Sequence, residues 1–216
     1  MPRTATTSAP PGLLTWGPRE LPVPYVARWS GESVSTAGLV VKPDGSGLAY
    51  EDEVAADRDG HGVLWARMGE AVGVGRPDYR AMSSHRQRVA ALCKLCQVCG
   101  GPADRTAKGW LFLMPAAPPG EEGCAEPEPI EGTLTTKPPI CHPCAELAVR
   151  HCPHLAAPLY VRSRKPRVWG VFGGFVTPSP TGALVNSADT YMPYGDREAA
   201  PWFLASQLAL ELTRCT

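Results

Sequence analysis

From Tyr25 onward, apolar and polar residues alternate in short runs, which is the pattern of strands rather than of long helices. Tyr25-Val26-Ala27-Arg28-Trp29 alternates weakly. Gly38-Leu39-Val40-Val41 and Gly47-Leu48-Ala49-Tyr50 flank Pro43-Asp44-Gly45-Ser46, whose Asp-Gly step signals a tight turn, so a hairpin is predicted there. Gly62 to Met68 reads as a further strand. The period then lengthens. From Tyr79 or Ser83 to Leu95, after Pro77, Met82, Val89, Leu92, Cys93 and Cys96 fall on one helical stripe, with Arg80, Ser84, Gln87 and Arg88 opposite. Trp110 to Met114 reverts to strand, with Leu134-Thr135-Thr136 to Ile140 as its expected return. A helix over Pro143 to His151 follows.

Leu159-Tyr160-Val161 and the run Val168 to Val176 are strands again, the latter broken by glycines that suggest bulges or a close backbone approach. Gly182 to Val185 is its expected partner. Leu204, Leu208 and Leu212, with Phe203 and Leu210 beside them and Pro201 in a tolerated first-turn position, predict a C-terminal helix over Ala199 to Arg214. The Pro- and Thr-rich residues 1–24 predict a disordered arm, leaving 25–216 as one α+β domain with a metal module at about 93–155. No internal repeat is found.

Composition narrows the class. The chain has 216 residues, 44% hydrophobic and 19% charged, which suits a globular domain with a sizeable core. Its 24 prolines and 22 glycines predict many turns and short elements. No apolar window is long enough for a membrane span, and the N-terminus lacks the apolar region of a signal peptide, so a cytoplasmic protein is expected. Formal net charge is zero, so any argument for a polyanion partner must rest on local charge.

That charge is segregated. Arg76, Arg80, Arg86, Arg88 and Lys94 crowd the first helix, and Arg162, Arg164, Lys165 and Arg167 crowd a later segment. Of these, Arg80, Arg86, Arg88, Arg162, Arg164, Lys165 and Arg167 are the candidate nucleic-acid contacts, able to follow a phosphate backbone if they share a face. Balancing the negative charge of a metal–thiolate centre is the competing use. Acidic residues gather instead at Glu51, Asp52, Glu53, Asp57 and Asp59, and in the proline-rich insert 115–132. The first cluster fits no EF-hand spacing and reads as a solvated loop. Cys124, within the insert, reads as a free surface thiol.

The chemistry lies in the cysteines. Six of the eight cysteines and three of the five histidines sit at the two ends of 93–154. Reduced CxxC pairs are metal ligands before they are disulfides, and zinc favours four soft tetrahedral donors. Cys93 and Cys96 also form a CxxC. Cys93, however, continues the helix, whereas Cys96 and Cys99 straddle its end and precede Gly100, where a knuckle requires positive φ. The favoured ligands of a single structural Zn2+ are therefore Cys96, Cys99, Cys141 and Cys144. Cys141 and Cys144 open the second helix, whose N-terminus favours thiolate. His151, seven residues beyond Cys144, lies about 10 Å away along that helix and out of reach. Cys152 with His154, joined by Cys93 or His151, is the alternative for a second ion. Cys215 reads as structural or incidental.

Knuckle, β-hairpin and a helix carrying the second pair, over residues 96–152, resemble the treble-clef zinc-finger superfamily. HNH nucleases build on a similar frame, with a catalytic His on a strand between the pairs. Here no histidine lies between Cys99 and His142. The resemblance thus implies a zinc staple without a nuclease centre. No GxSxG, P-loop, dinucleotide or HExxH motif is present. The reading that follows is a non-catalytic zinc protein, accessory or regulatory to a nucleic-acid process, of the kind phages and mobile elements carry. A protein–protein adaptor using the C-terminal helix, and a degenerate HNH-type nuclease, are the alternatives.

Overall fold

The computed structural model describes residues 12–115, 130–152, 155 and 158–216. The insert around Cys124, the first eleven residues and His154 lie outside these. The N-terminal part is built of small ribbons: β1 (Leu14–Trp16), β2 (Leu21–Val23), β3 (Ala27–Trp29), β4 (Val34–Ser35), β5 (Leu39–Val41), β6 (Leu48–Tyr50), β7 (Leu64–Trp65), β8 (Arg67–Met68) and β9 (Pro77–Met82). Pairs β1–β2, β3–β9, β4–β8 and β5–β6 are antiparallel. The β5–β6 hairpin is the one its Asp-Gly turn predicts: Asp44 accepts from the Ser46 N–H at 2.9 Å, and Gly45 takes a φ of 70°.

Beyond Met82 come α1 (Ser84–Cys93), β10 (Arg105–Thr106), β11 (Gly109–Pro115), β12 (Leu134–Thr135), α2 (His142–His151), β13 (Pro158–Ser163), β14 (Arg167–Pro178), β15 (Leu184–Asn186), β16 (Thr190–Pro193) and β17 (Phe203–Glu211). The largest sheet runs β12-β17-β14-β15, with β16 also on β14 and β7 parallel to β17. A second sheet, β10-β11-β13, lies between two cores. Strand period two divides it: Phe112 and Val161 face the main core with Val171, Met192, Leu208 and Leu210. Leu111 and Leu113 face a smaller core with Cys96, Ile140 and Cys144. Among the described residues, no helix is long and apolar enough to cross a membrane.

The fold is α+β, but the expected C-terminal helix is a strand. Leu208, Leu210 and Leu212 alternate with a period of two onto the main core, and the extra residue Ser206 shifts the register so that Phe203 and Ala205 join them while Leu204 faces the other way. As an inner strand, β17 is buried on both faces and loses the polar alternation that marks a strand. Its outer backbone edge is shared among three partners. β7 takes Leu204 and Ala205, β12 takes Leu210 and Glu211, and the Gln87 side chain fills the gap. Gln87 Nε2 donates to the Leu208 carbonyl and Oε1 accepts from the Leu208 N–H, both at 2.9 Å.

That bond inverts α1 relative to the expected stripe. Ser84, Arg86, Gln87, Ala90 and Ala91 are buried, whereas Leu92 and Cys93 are exposed. Small Ala90 and Ala91 let the helix approach β17, and the two long polar side chains find partners inside. The helix starts later than Tyr79 because Pro77–Met82 pairs with β3, and Ser83 caps it by accepting from the Arg86 N–H. Other expectations change for similar reasons. Leu134–Thr135 returns to β17 rather than to β11, whose partners are β10 and β13. Residues 14–23, expected in a disordered arm, form the β1–β2 ribbon and bury Val23.

The acidic 51–59 segment is not simply solvated. Arg67 donates to Asp57 at 2.8 and 2.7 Å and to Asp52 at 2.7 Å, and Arg58 donates to Glu53 at 2.7 and 2.9 Å. Asp59 accepts from the Trp65 indole at 3.0 Å and the Tyr194 hydroxyl at 2.6 Å.

Candidate metal centre

The first cysteine pair is set by the end of α1. Lys94 adopts the left-handed conformation at φ 56°, which turns the chain out of the helix and into a knuckle. The Cys96 N–H bonds the Gly101 carbonyl at 2.6 Å, the Gly100 N–H bonds the Cys96 carbonyl at 2.9 Å, and the Val98 N–H points at Cys96 Sγ at 3.4 Å. Gly100 has the positive φ the knuckle requires, 71°, and a Cβ there would lie 2.9 Å from the Tyr25 ring. Two other segments pin this turn. Tyr25 and Val26 donate their N–H groups to Val98 and Gln97, and Gln97 donates to Pro139.

The second pair is delivered by β11. The Ile140 N–H bonds the Leu111 carbonyl at 2.9 Å, and the Asp104 N–H bonds the Ile140 carbonyl at 3.1 Å. Cys141 is then the N-cap of α2 and Cys144 lies in its first turn, with the Ala145 N–H closing onto the Cys141 carbonyl. Four sulfurs, from Cys96, Cys99, Cys141 and Cys144, come within 4.8 Å of one another. Cys99 and Cys141 are 3.9 Å apart. Cys96 and Cys144 are fully buried, while Cys99 and Cys141 are half-buried.

These thiols cannot ionise independently. The hydrogen bond from the Cys144 thiol, with backbone N–H groups, pulls Cys96 down to about 5 against the cost of its burial. Burial pushes Cys141 up to about 11, and the charge on Cys96 adds to this. Cys144 is pushed upward too, first by its hydrogen bond to Cys96 and then by burial. Thiolates in so crowded a donor set repel one another. A metal ion at its centre would relieve that repulsion, and these four residues could hold one.

The other candidate ligands lie elsewhere. Cys93 is exposed at the end of α1, Cys152 caps the C-terminus of α2, and His151 is exposed on its last turn. His142 is exposed beside Glu146 at 3.5 Å. Among the described residues, the four-cysteine group is the only cluster of its kind. Cys215 lies near Glu131; burial and then that carboxylate push it up to about 11.

The predicted basic contacts divide. Arg86 is buried and cannot meet a phosphate at the surface: it makes a two-pronged ion pair with Glu32, at 2.7 Å for Nη2 and Oε2, and donates to the Tyr25 and Ala27 carbonyls. Arg88 stacks over Trp65 at 4.5 Å. Arg162 pairs with Asp104 at 2.6 Å, tying β13 to the metal module, and Arg167 pairs with Glu211 at 2.7 Å. Arg80, Arg164 and Lys165 are exposed and have no carboxylate partner among the described residues. A cleft of about 450 Å³ between Trp65, Arg67, His85 and Arg88 also opens beside α1, but Asp52 and Asp57 already engage its Arg67.

Sequence reasoning missed Glu32 and Gln87 as organising residues. Neither belongs to a motif, and both sit among polar neighbours, Ser30-Gly31-Glu32-Ser33 and Ser84-His85-Arg86-Gln87-Arg88, so the sequence carries no signal for their burial. Compared with protein-family models, curated proteins and solved structures, the chain matches none.

Proposed function

We propose that this chain is a zinc protein whose single ion is structural, serving a nucleic-acid-associated process as a non-catalytic accessory or regulatory factor. The mutual approach of four cysteine sulfurs within 4.8 Å carries this reading. A tetrahedral ion with bonds of about 2.3 Å separates its sulfurs by about 3.8 Å, which suits this group. Thiolates select soft or borderline ions, and four protein donors leave no position for a reactive water. The ion acts as a staple joining the end of α1, the β10–β11 hairpin and the start of α2. That order is similar to a treble clef.

Support for nucleic acid comes from the exposed, unpaired cations Arg80, Arg164 and Lys165, with Arg88 close to the surface over Trp65. Arg86 leaves the contact set because it is committed to Glu32. The adaptor alternative loses its docking helix, since 203–211 is an inner strand.

Elemental analysis should find one zinc per chain in the wild type, none after Cys99→Ser, and an unchanged content after Cys93→Ser. Nucleic-acid binding should weaken steeply with salt. Changing Arg80, Arg164 and Lys165 together to Ala should reduce the salt slope by about three. Binding insensitive to salt, or no binding to duplex or single-stranded DNA or RNA, would sink the nucleic-acid reading.

A further inference from the structure

The outer face of the large sheet carries three aromatic rings that belong to none of the four hydrophobic cores. Val171 of β14, Met192 of β16 and Leu208 of β17 point inward and are buried. Their neighbours Phe172, Tyr191 and Gln207 therefore point outward. Phe172 and Tyr191 are cross-strand partners with ring centres 5.0 Å apart, and Phe172 faces Gln207 on its other side. Trp169 is the extra residue of a bulge between Val168 and Gly170, and its ring stands edge-on to Tyr191 at 6.5 Å. Tyr191 is 37% exposed, and Trp169 and Phe172 are partly exposed. Farther along the same face, Leu204 is covered by Leu48 and Tyr50 of the β5–β6 hairpin. Trp169, Phe172 and Tyr191 have no such cover among the described residues.

Polar groups around these rings lack partners. Gln207 Oε1 is shielded from solvent and accepts no hydrogen bond, and the Tyr191 hydroxyl makes none among the described residues. Cations lie in the connection that leads into β14. Arg164 and Lys165, exposed and unpaired, stand at the bend between β13 and β14, four to five residues before Trp169 in sequence. Arg167 lies between them and the tryptophan, holding Glu211. Exposed carboxylates flank both ends of β16, Asp189 just before it and Asp196 and Glu198 just after it.

We infer that this aromatic face binds the unpaired bases of a single-stranded nucleic acid, with its phosphates directed toward Arg164 and Lys165. The inference rests on the nucleic-acid reading proposed above and deepens it. Every base offers a π-face, and rings spaced on a sheet with cations at one end match a strand of stacked bases. A duplex, whose bases are stacked on each other, offers the rings nothing. The chemistry is shared by DNA and RNA, so both are tested.

The experiment uses the full metal-loaded chain and fluorescently labelled oligomers in an anisotropy titration: twelve-residue oligo-dA and oligo-A, and the same sequence as a duplex. The single strands should bind at least tenfold more tightly than the duplex. Trp169→Leu with Tyr191→Leu should weaken single-strand binding by about tenfold or more, with zinc content unchanged. Trp169→Phe and Tyr191→Phe, which keep a ring, should bind as the wild type does. A wild-type measurement stands beside these: photocrosslinking an oligomer carrying 5-bromouracil or 4-thiouracil should label peptides spanning 167–175 or 190–194.

No binding to any oligomer removes the nucleic-acid reading itself. Equal binding of duplex and single strand, lost in Arg164→Ala/Lys165→Ala but kept in the ring variants, leaves that reading standing and overturns the aromatic site. Crosslinks confined to other peptides overturn it as well. So does a ring variant that changes the oligomeric state and leaves oligomer binding unchanged. Preference for the deoxy or the ribo oligomer identifies the source of the strand.

Discussion

Arg86→Met gives the sharpest test of how the core and the metal module are joined. The change keeps the aliphatic stem and deletes a guanidinium that meets Glu32 with two nitrogens and caps two carbonyls. The Glu32 side chain is fully buried, and besides Arg86 it accepts from the Trp29 N–H at 2.7 Å. Stranding that carboxylate should cost about 3–5 kcal/mol, a large share of the roughly 5–15 kcal/mol that stabilises a domain. For a chain of this size the melting temperature should fall by roughly 10 °C.

Glu32→Leu alone should cost a similar amount, because it strands the guanidinium instead. The double variant should recover most of the loss, since an apolar pair can replace a buried ion pair. Recovery should stop about 1–3 kcal/mol short, because the Tyr25 and Ala27 carbonyls stay unpaired. Urea titration of the zinc-loaded protein followed by circular dichroism measures all three. Tyr25 also bonds the cysteine knuckle, so Arg86→Met should speed metal release to a chromogenic chelator. A stability within about 1 kcal/mol of wild type, or a double variant no better than either single one, would refute this account.

Acid should act on the same pair. Burial raises the Glu32 pKa, but the hydrogen bonds from Arg86 and the backbone outweigh it and hold the group below its ordinary range. A depressed carboxyl stabilises the fold above its unfolded pKa near 4.3 and loses that contribution as pH falls. Urea midpoints of the wild type should therefore drop below about pH 4, and the Arg86→Met/Glu32→Leu variant should drop less. Gln87→Leu leaves the Leu208 N–H and carbonyl and the Thr136 carbonyl without their partner; a loss of about 2–4 kcal/mol in urea titration is expected. Gly100→Ala forces a Cβ against Tyr25 at a positive φ and should cost about 1–3 kcal/mol while weakening zinc, read by competition with a chelator. Zinc binding to the apo protein at pH 7 should release the protons held by Cys141 and Cys144, measurable with a pH indicator, and affinity should fall as pH is lowered.

The four-cysteine cluster was legible because local signals agree there. CxxC spacing, a glycine where the knuckle needs it, and cysteines at a helix start all act over a few residues. The β5–β6 hairpin was legible for the same reason, through Asp44-Gly45. What failed was decided across the chain. Leu208, Leu210 and Leu212 alternate as a strand does, but the fourfold spacing of Leu204, Leu208 and Leu212 also fits a helix, and the Ser206 bulge that turns Leu204 to the other face leaves no mark in the sequence. Arg86 and Gln87 read as a solvent face because polar side chains usually are one. Their burial depends on Glu32 and on Leu208, 54 and 121 residues away in sequence. The carboxylates of 51–59 read as a loop because their arginine partners, Arg58 within the segment and Arg67 beyond it, carry no pattern of their own.

The central place of β17 also has a consequence in time. β7, β12 and β14 each leave a backbone edge that only 203–211 fills, and Gln87 waits for Leu208 in the same way. A chain emerging from its N-terminus therefore shows several unfilled strand edges before the segment that covers them exists. Such edges recruit one another between molecules. The contacts that end this exposure span long stretches of sequence, which slows folding. Synthesis rate and chaperone supply should thus govern the yield of this protein more than its final stability does. Fragments ending before Phe203 should collect as aggregates rather than as partly folded monomers.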